Sequence, residues 1–391
     1  MNILFYQNLH SGGTGLVHVY EVARNLSRLG HSIIFLDDTN PVWEHELDFS
    51  KTPTNPRGRF GLLFKLSGGL GAFWQGLRFL IHHKGKIDLI YMRHGPHDLG
   101  YLLAKLFRIP LVKEVNGIAI DERKISQKMN RITIYMVDRI ERFMLPRADR
   151  FIVVTERLKQ TLQTDYGVPE SKIVVIPNGA NTELFKPMPS DRAKAELNLN
   201  NSHDYVCFVG SLWRAQGVEY LIKSSPLILE ELPNTKFLIV GDGQLKAELI
   251  NLAENIGVLD KFIFTGMVPY KQVPLYVNAC DVCISPQARD FRNERTGVSP
   301  LKLCEYMACG KPVVVGDLEG NRDLILESNA GYVVQAEDPA QLSSAIIKLL
   351  KDKELSGKLG ENGRRAVLDR YSWESVAERV AEVCQAAIEK S

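Results

Sequence analysis

Short apolar runs recur along the chain, separated by segments long and amphipathic enough to be helices, and few folds accept that alternation. In the first half the runs are Ile3–Tyr6, Ile33–Leu36, Ile87–Met92, Leu111–Val115, Phe151–Val154 and Ile173–Ile176. Strands that are apolar on both faces must be covered on both, which implies a parallel sheet with helices on either side. Between the first two runs, Val19, Val22, Ala23, Leu26 and Leu29 share one helical face, and Gly30 ends that helix. Further helices are expected near Leu99–Phe107 and in a long segment ending at Leu145. The second half repeats the plan, with runs at Tyr205–Val209, Lys236–Val240, Phe262–Phe264, Asp281–Ile284, Pro312–Val315 and Gly331–Val334. The polar segment Lys186–Asp204, with Pro187, Pro189 and Asn198–Asn201, reads as the join. The expected fold class is α/β, with two doubly wound Rossmann-like domains facing a central cleft. The first domain is expected over residues 1–186 with a closing helix in 373–391, and the second over 187–372. In such sheets the ligand loops lie at the carboxyl ends of the strands.

At 391 residues the chain suits two domains rather than one core. A net charge of +2 is too balanced for a protein that tracks nucleic acid by bulk electrostatics, so no nucleic-acid partner is expected. The six cysteines, Cys207, Cys280, Cys283, Cys304, Cys309 and Cys384, lie mostly within apolar runs, as buried reduced thiols would. Cys280 and Cys283 form a C-x-x-C with no second ligand pair at matching spacing, so packing is expected of them and a metal site is not. The chain opens directly on a strand, Met1-Asn2-Ile3-Leu4-Phe5-Tyr6, so no signal peptide is expected and a cytoplasmic location is. The stretch from Gly61 to Ile81 is broken by Lys65, Gln75 and Arg78, which excludes a membrane span. Its apolar residues Leu62, Leu66, Leu70, Phe73, Leu77 and Leu80 keep helical spacing, which suits a helix packed on the first sheet. The flanking cations Arg57, Arg59, Lys65, Arg78, Lys84 and Lys86 leave open a second reading, an exposed face for a membrane surface or an acceptor.

Motifs narrow the function. Ser11-Gly12-Gly13-Thr14-Gly15 follows the first strand and opens a helix, where backbone N–H groups favour an anion. Its spacing is not the G-x-G-x-x-G of a dinucleotide turn. Next come Leu29-Gly30-His31, Ala148-Asp149-Arg150-Phe151 and Ile176-Pro177-Asn178-Gly179-Ala180-Asn181. The second half carries Phe208-Val209-Gly210-Ser211-Leu212, Gly241-Asp242-Gly243, Phe264-Thr265-Gly266-Met267 and Leu301-Lys302-Leu303-Cys304-Glu305-Tyr306-Met307-Ala308-Cys309-Gly310-Lys311-Pro312. In this order the motifs resemble glycosyltransferase family 4, with the GT-B fold, over almost the whole chain.

The resemblance assigns roles residue by residue. Gly12 and Gly13 would face the sugar and diphosphate, with Gly210, Gln216, Gly266 and Met267 on the donor side. Ser299, as a helix N-cap, with Pro300 and Leu301 would present free N–H groups to a diphosphate, and Glu305 would accept the ribose hydroxyls. Three departures stand out. Gly297 occupies the place of the first of two glutamates, leaving Asp290 or Glu294 as replacements. Ser211 and Gln216 stand where relatives carry an arginine and a lysine, so Arg214 and Lys302 would compensate the leaving diphosphate. Asn116, in Lys113-Glu114-Val115-Asn116-Gly117, stands where relatives often carry a histidine; it would hold a sugar hydroxyl but cannot shuttle protons. His10, His94, His97 and Arg93 also follow strands of the first domain.

The implied activity is a retaining hexosyl transfer from a nucleoside diphosphate sugar, UDP before GDP, to a saccharide or lipid-linked saccharide. No metal or other cofactor is expected, and a lipid-linked acceptor would bring the protein to the inner membrane surface. Two other readings stay open: a catalytically silent nucleotide-sugar binder, and a sugar-nucleotide epimerase of the same fold.

Overall fold

The computed structural model describes residues 1–6, 14–36, 41–42, 68–83, 85–95, 99–118, 121 and 131–390. The chain divides into two compact units, Met1–Pro177 with Glu374–Ser391, and Asn178–Trp373. The chain leaves the first unit at Pro177, ahead of the boundary expected at 186, because the Asn178–Phe185 segment is tied into the second. There Ala180 accepts from Trp373 N, and Phe185 is fully buried.

In the first unit the strands are β1 (Asn2–Tyr6), β2 (Ser32–Leu36), β3 (Pro41–Val42), β4 (Leu89–Arg93), β5 (Leu111–Val115), β6 (Arg150–Val153) and β7 (Ile173–Val175). They form one sheet in the order β3-β2-β1-β4-β5-β6-β7. All neighbours are parallel except β2 and β3. The short β3 lay outside the expected pattern; its Pro41, lacking an N–H, suits an edge. The helix Thr14–Arg28 buries Val19, Val22, Ala23 and Leu26 as its spacing demands, whereas Leu29 falls past its end and is exposed. The helix Gly68–His82 packs Phe73, Leu77, Phe79 and Leu80 on this core and leaves Trp74 and Ile81 exposed. The expected positions Leu62 and Leu66, and the cations Arg57, Arg59, Lys65 and Lys84, lie outside the described residues. The helix Trp373–Ile388 joins this unit from Glu374 on, burying Val376, Val380 and Cys384, and Arg379 donates to the carbonyl of Val175 at 2.6 Å.

In the second unit β8 (Asp204–Val209), β9 (Thr235–Val240), β10 (Phe262–Gly266), β11 (Val282–Ser285), β12 (Val313–Gly316) and β13 (Gly331–Val334) form an all-parallel sheet in the order β10-β9-β8-β11-β12-β13. Apolar side chains pack on both faces, in two clusters that use alternate residues of the same strands: Cys207 and Val209 on one, Val206 and Phe208 on the other. All six cysteines of the chain are free and buried, Cys280 and Cys283 among them. In each sheet the winding reverses beside the first strand, between β1 and β4 and between β8 and β11. The carboxyl ends flanking such a reversal are where open α/β sheets take ligands. No helix among the described residues is long and apolar enough to cross a membrane.

Candidate active site

The loops leaving β8, β9 and β10 are joined backbone to backbone. Gly210 N donates to Val240 O, Leu212 N to Asp242 O and Gly241 N to Gly266 O, each at 2.9–3.0 Å. Glycine is required for that approach: a Cβ on Gly241 would lie 2.0 Å from the Gly210 oxygen, and Gly241 holds φ +135°. Gly210, at φ +144°, leaves room for a lysine, since its Cβ would meet Lys302 Nζ at 2.6 Å. Gly266 closes β10 at φ +72°, and Met267 beyond it is 83% exposed.

Lys302 is the centre of this end of the sheet. Its ammonium donates to Gln216 Oε1 at 2.6 Å and lies 4.0 Å from the centroid of the Phe208 ring. Burial pulls its pKa down to about 7, against the opposing pull of Glu305. Gln216 therefore stands beside the lysine supplied by another element, the helix Leu301–Ala308. Arg214 opens the short 3-10 turn Arg214–Gln216 and is exposed. Glu305, one turn into the helix from Lys302, is buried, and Tyr270 donates its hydroxyl to Glu305 Oε1 at 2.8 Å. An ordinary solvated helix glutamate would not be held this way.

Two expectations change. Ser299 is not the helix N-cap: that place belongs to Pro300, in extended geometry, and Leu301 begins the helix. The Ser299 hydroxyl is instead taken by Asn178 N at 3.1 Å, and the Ser299 carbonyl accepts from Asn178 Nδ2 at 2.5 Å. The helix start thus has no side-chain cap, which leaves its first N–H groups for another acceptor. Gly297 sits at φ 66°, ψ −173°, a region essentially restricted to glycine, so a glutamate at this position would need a different backbone. Asp290 is occupied as the N-cap of Phe291–Thr296, accepting from Asn293 N at 2.7 Å, and Glu294 lies 3.9 Å from Arg289.

In the first unit, Asn116 follows β5 and turns back on it. Its Nδ2 donates to Glu114 Oε1 at 2.5 Å, while its Oδ1 is shielded from solvent without a hydrogen-bond partner among the described residues. Glu114 is buried, receives the Tyr91 hydroxyl on Oε2 at 2.5 Å, and has its Oε1 2.7 Å from His18 Nε2. Burial pushes the Glu114 carboxyl up, but His18, Arg93 and Tyr91 outweigh it and hold the pKa at about 2. Burial and the adjacent carboxylate raise Tyr91 well above the usual phenol range. His94 pairs with Glu141 at 2.9 Å, both side chains buried. His10, His97, Gly12 and Gly13 lie outside the described residues.

Sequence reasoning missed Tyr91, His18 and Tyr270, and quoted Glu114, Phe208 and Asn178 without giving them a task. One signal was present: Lys113 and Glu114 are charged residues in the middle of a strand buried on both faces, and both are almost fully buried. The others are ordinary residues whose partners lie far away in sequence.

The family pattern described as "Glycosyltransferase Family 4" matches residues 12–184, and that described as "Glycosyl transferases group 1" matches residues 189–366. An uncharacterized glycosyltransferase of Methanocaldococcus jannaschii is 27% identical over 78% of this chain and 76% of its own. Among solved structures, sucrose-phosphate synthase from Thermosynechococcus elongatus superposes with a TM-score of 0.74 at 22% identity, over the full length of both chains. Anabaena HepE in complex with UDP-glucose gives 0.72 at 19% identity, over 99% of this chain and 100% of that one.

Proposed function

The chain belongs to glycosyltransferase family 4 and has the GT-B fold, and from that premise we propose that it moves a hexose from a nucleoside diphosphate sugar to a hydroxyl of a saccharide or lipid-linked saccharide. UDP is the preferred nucleotide and GDP the second, a choice supported by the UDP-glucose held by the Anabaena protein. The observation that carries the reading is Lys302 against Gly210 and Gln216, one turn from the Glu305–Tyr270 pair.

As the glycosidic bond breaks, negative charge grows on the departing diphosphate, and cations or N–H dipoles aimed there lower the barrier. Lys302 and the uncapped start of Leu301–Ala308 supply both, with Arg214 as a second cation from the exposed turn. No metal ion is needed in this scheme. Glu305 takes the ribose hydroxyls, its carboxylate held by Tyr270. Retention follows a front-side path in which the leaving phosphate oxygen accepts the acceptor's proton, so no protein base is required and Asn116 serves a positional role. The protein works in the cytoplasm, and a lipid-linked acceptor draws it to the inner membrane surface.

Thermal shift with UDP and with GDP, each with and without a chelator, tests the donor site by mass action. Stabilisation by one of them, unaffected by chelator, is the expected result; no shift, or a shift only with magnesium, overturns the assignment. Because Gln216 and Gly297 depart from the family pattern, turnover is measured in parallel with labelled donor and a panel of acceptors. Binding without transfer or hydrolysis would make the chain a silent binder.

A further inference from the structure

We infer that the outer face of three helices of the first unit, Gly68–His82, Gly100–Phe107 and Arg131–Met144, lies on an anionic membrane surface. Its apolar side chains enter the boundary between headgroups and acyl chains, and the cations among them meet lipid phosphates. The inference rests on the proposed function only for why the protein would need a membrane, and on the first unit alone for the surface.

All three helices cover the same face of the first sheet. Leu80, Leu103 and Val137, one from each, pack into a single apolar cluster with Leu4, Ile90 and Phe151 of the strands, and the first two helices lie against each other. The side of such a helix that points away from the core is ordinarily polar. Here Trp74, Arg78 and Ile81 recur at helical spacing on the exposed side of the first helix, and Leu102, Lys105 and Leu106 on that of the second. The third exposes Tyr135, Met136, Arg139, Ile140 and Phe143. Trp74, Leu106 and Tyr135 are 60%, 62% and 65% exposed, so they are not the rim of the core. Among the described residues sixteen large apolar side chains are exposed, and eight of them belong to these three helices. Single exposed apolar residues need no explanation, but a concentration of them marks an interaction surface. The fold does not impose it. The helix Glu156–Tyr166 packs Leu158 and Leu162 on the same cluster and exposes Glu156, Arg157, Gln160 and Thr164 instead.

Charge decides the occupant. The first two helices contain neither aspartate nor glutamate. In the third, Asp138 is held by Arg142 at 2.9 Å, and Glu141 is buried against His94 at 2.9 Å. Each apolar stripe therefore carries an exposed cation, Arg78, Lys105 or Arg139, and neither carboxylate is exposed. Arg147 adds a guanidinium 3.4 Å from the centroid of the Phe143 ring. A second copy of the chain meeting this face about a two-fold axis would bring cation against cation with no acid between them. A bilayer with anionic headgroups offers the opposite charge, and it takes the apolar side chains while the cationic stems reach back to the phosphates. No helix among the described residues is long and apolar enough to cross the bilayer, so the contact is a docking on its surface.

Co-sedimentation of the full chain with vesicles tests this, using phosphatidylcholine alone and phosphatidylcholine with about one third phosphatidylglycerol. Binding is expected on the anionic vesicles, weaker on the neutral ones, and falling as salt is raised. Trp74→Gln and Leu106→Gln are each expected to weaken binding to the anionic vesicles about tenfold, and Arg139→Gln about fivefold. All three should keep the wild-type melting temperature, because exposed side chains carry little packing. Arg157→Gln, on the polar helix of the same layer, is the control and should bind as wild type does. No binding to anionic vesicles overturns the inference, and so does an equal loss in Arg139→Gln and Arg157→Gln, which would reduce the effect to bulk charge. Sedimentation velocity without lipid supplies the other arm: a dimer that Leu106→Gln dissociates would assign the face to a second copy. Vesicle binding is read without donor or acceptor. A chain that binds vesicles and transfers no sugar therefore keeps its membrane face and loses the activity reading instead.

Discussion

Lys302 has the stem of a surface residue and the surroundings of a buried one. With its pKa near 7, its charge is present below that pH and lost as pH rises through it. A bound diphosphate favours the charged form, so nucleotide affinity is expected to fall as pH rises above about 7. Calorimetry between pH 6 and 9 checks this; Lys302→Met should abolish the slope and leave only the titration of the nucleotide's own phosphate. The same depression costs stability where the unfolded chain keeps the lysine protonated and the folded one does not. Between about pH 7 and the ordinary lysine value the unfolded state binds more protons, so wild-type stability rises with pH. Lys302→Met is therefore expected to melt higher than wild type near neutrality, with the gap narrowing toward pH 10. Turnover should suffer in the opposite sense, more than ground-state donor binding does, because the charge it meets grows in the transition state. At Glu305 the expected loss on substitution by alanine is roughly 10- to 100-fold in donor affinity, from charge-assisted hydrogen bonds of about 1.5–3 kcal/mol. Tyr270→Phe is the control, since Glu305→Ala also strips the tyrosine hydroxyl of its partner.

The loops after β8, β9 and β10 behave as one element because their backbones touch. Gly241→Ala would drive a Cβ to 2.0 Å from the Gly210 oxygen, so one loop must move. A loss of about 2 kcal/mol or more in denaturant unfolding is expected, together with weaker nucleotide binding, since Gly210 is what makes room for Lys302. Gly357, inside the helix Lys353–Arg370 with nothing within 4 Å of its Cβ position, is the contrast. Gly357→Ala should stabilise by about 0.5–1 kcal/mol through the unfolded state and leave binding unchanged. The helix Leu301–Ala308 is anchored in a different way: Asn178 takes both the hydroxyl and the carbonyl of Ser299, just ahead of its first turn.

For the molecule as a whole, the closing helix is the element whose sequence position says least about its place. Val376, Ala377, Val380, Cys384 and Ala387 are buried, and from Glu374 onward the helix belongs to the unit that begins at Met1. Ending the chain after Trp373 exposes their sites on that unit, at about 1.5–3 kcal/mol for each large apolar side chain withdrawn. The first unit is expected to unfold or to melt far lower, while the second keeps its own melting transition and its nucleotide-dependent shift. Calorimetry of the truncated chain, with and without UDP, reads both. A single unchanged transition would show that the helix contributes little.

What could be read without coordinates was what depends on neighbours along the chain. Strands β1, β2 and β4–β13 follow from apolar runs, because burying both faces of a strand is a demand each segment states by itself. Lys302 and Glu305 were legible as candidates from their place in a motif. The tertiary structure alone decided what these groups are. Gln216 lies 86 residues from the lysine it receives, Tyr270 lies 35 from Glu305, and Tyr91 lies 23 from Glu114. Ser299 looked like a cap because Ser-Pro before a helix usually is one, but the cap place falls to Pro300 and the Ser299 hydroxyl is taken by Asn178 N, 121 residues away. A pKa near 7 and a carboxylate held at about 2 arise from desolvation and charge at close range, and distance through space is set by packing rather than by spacing along the chain.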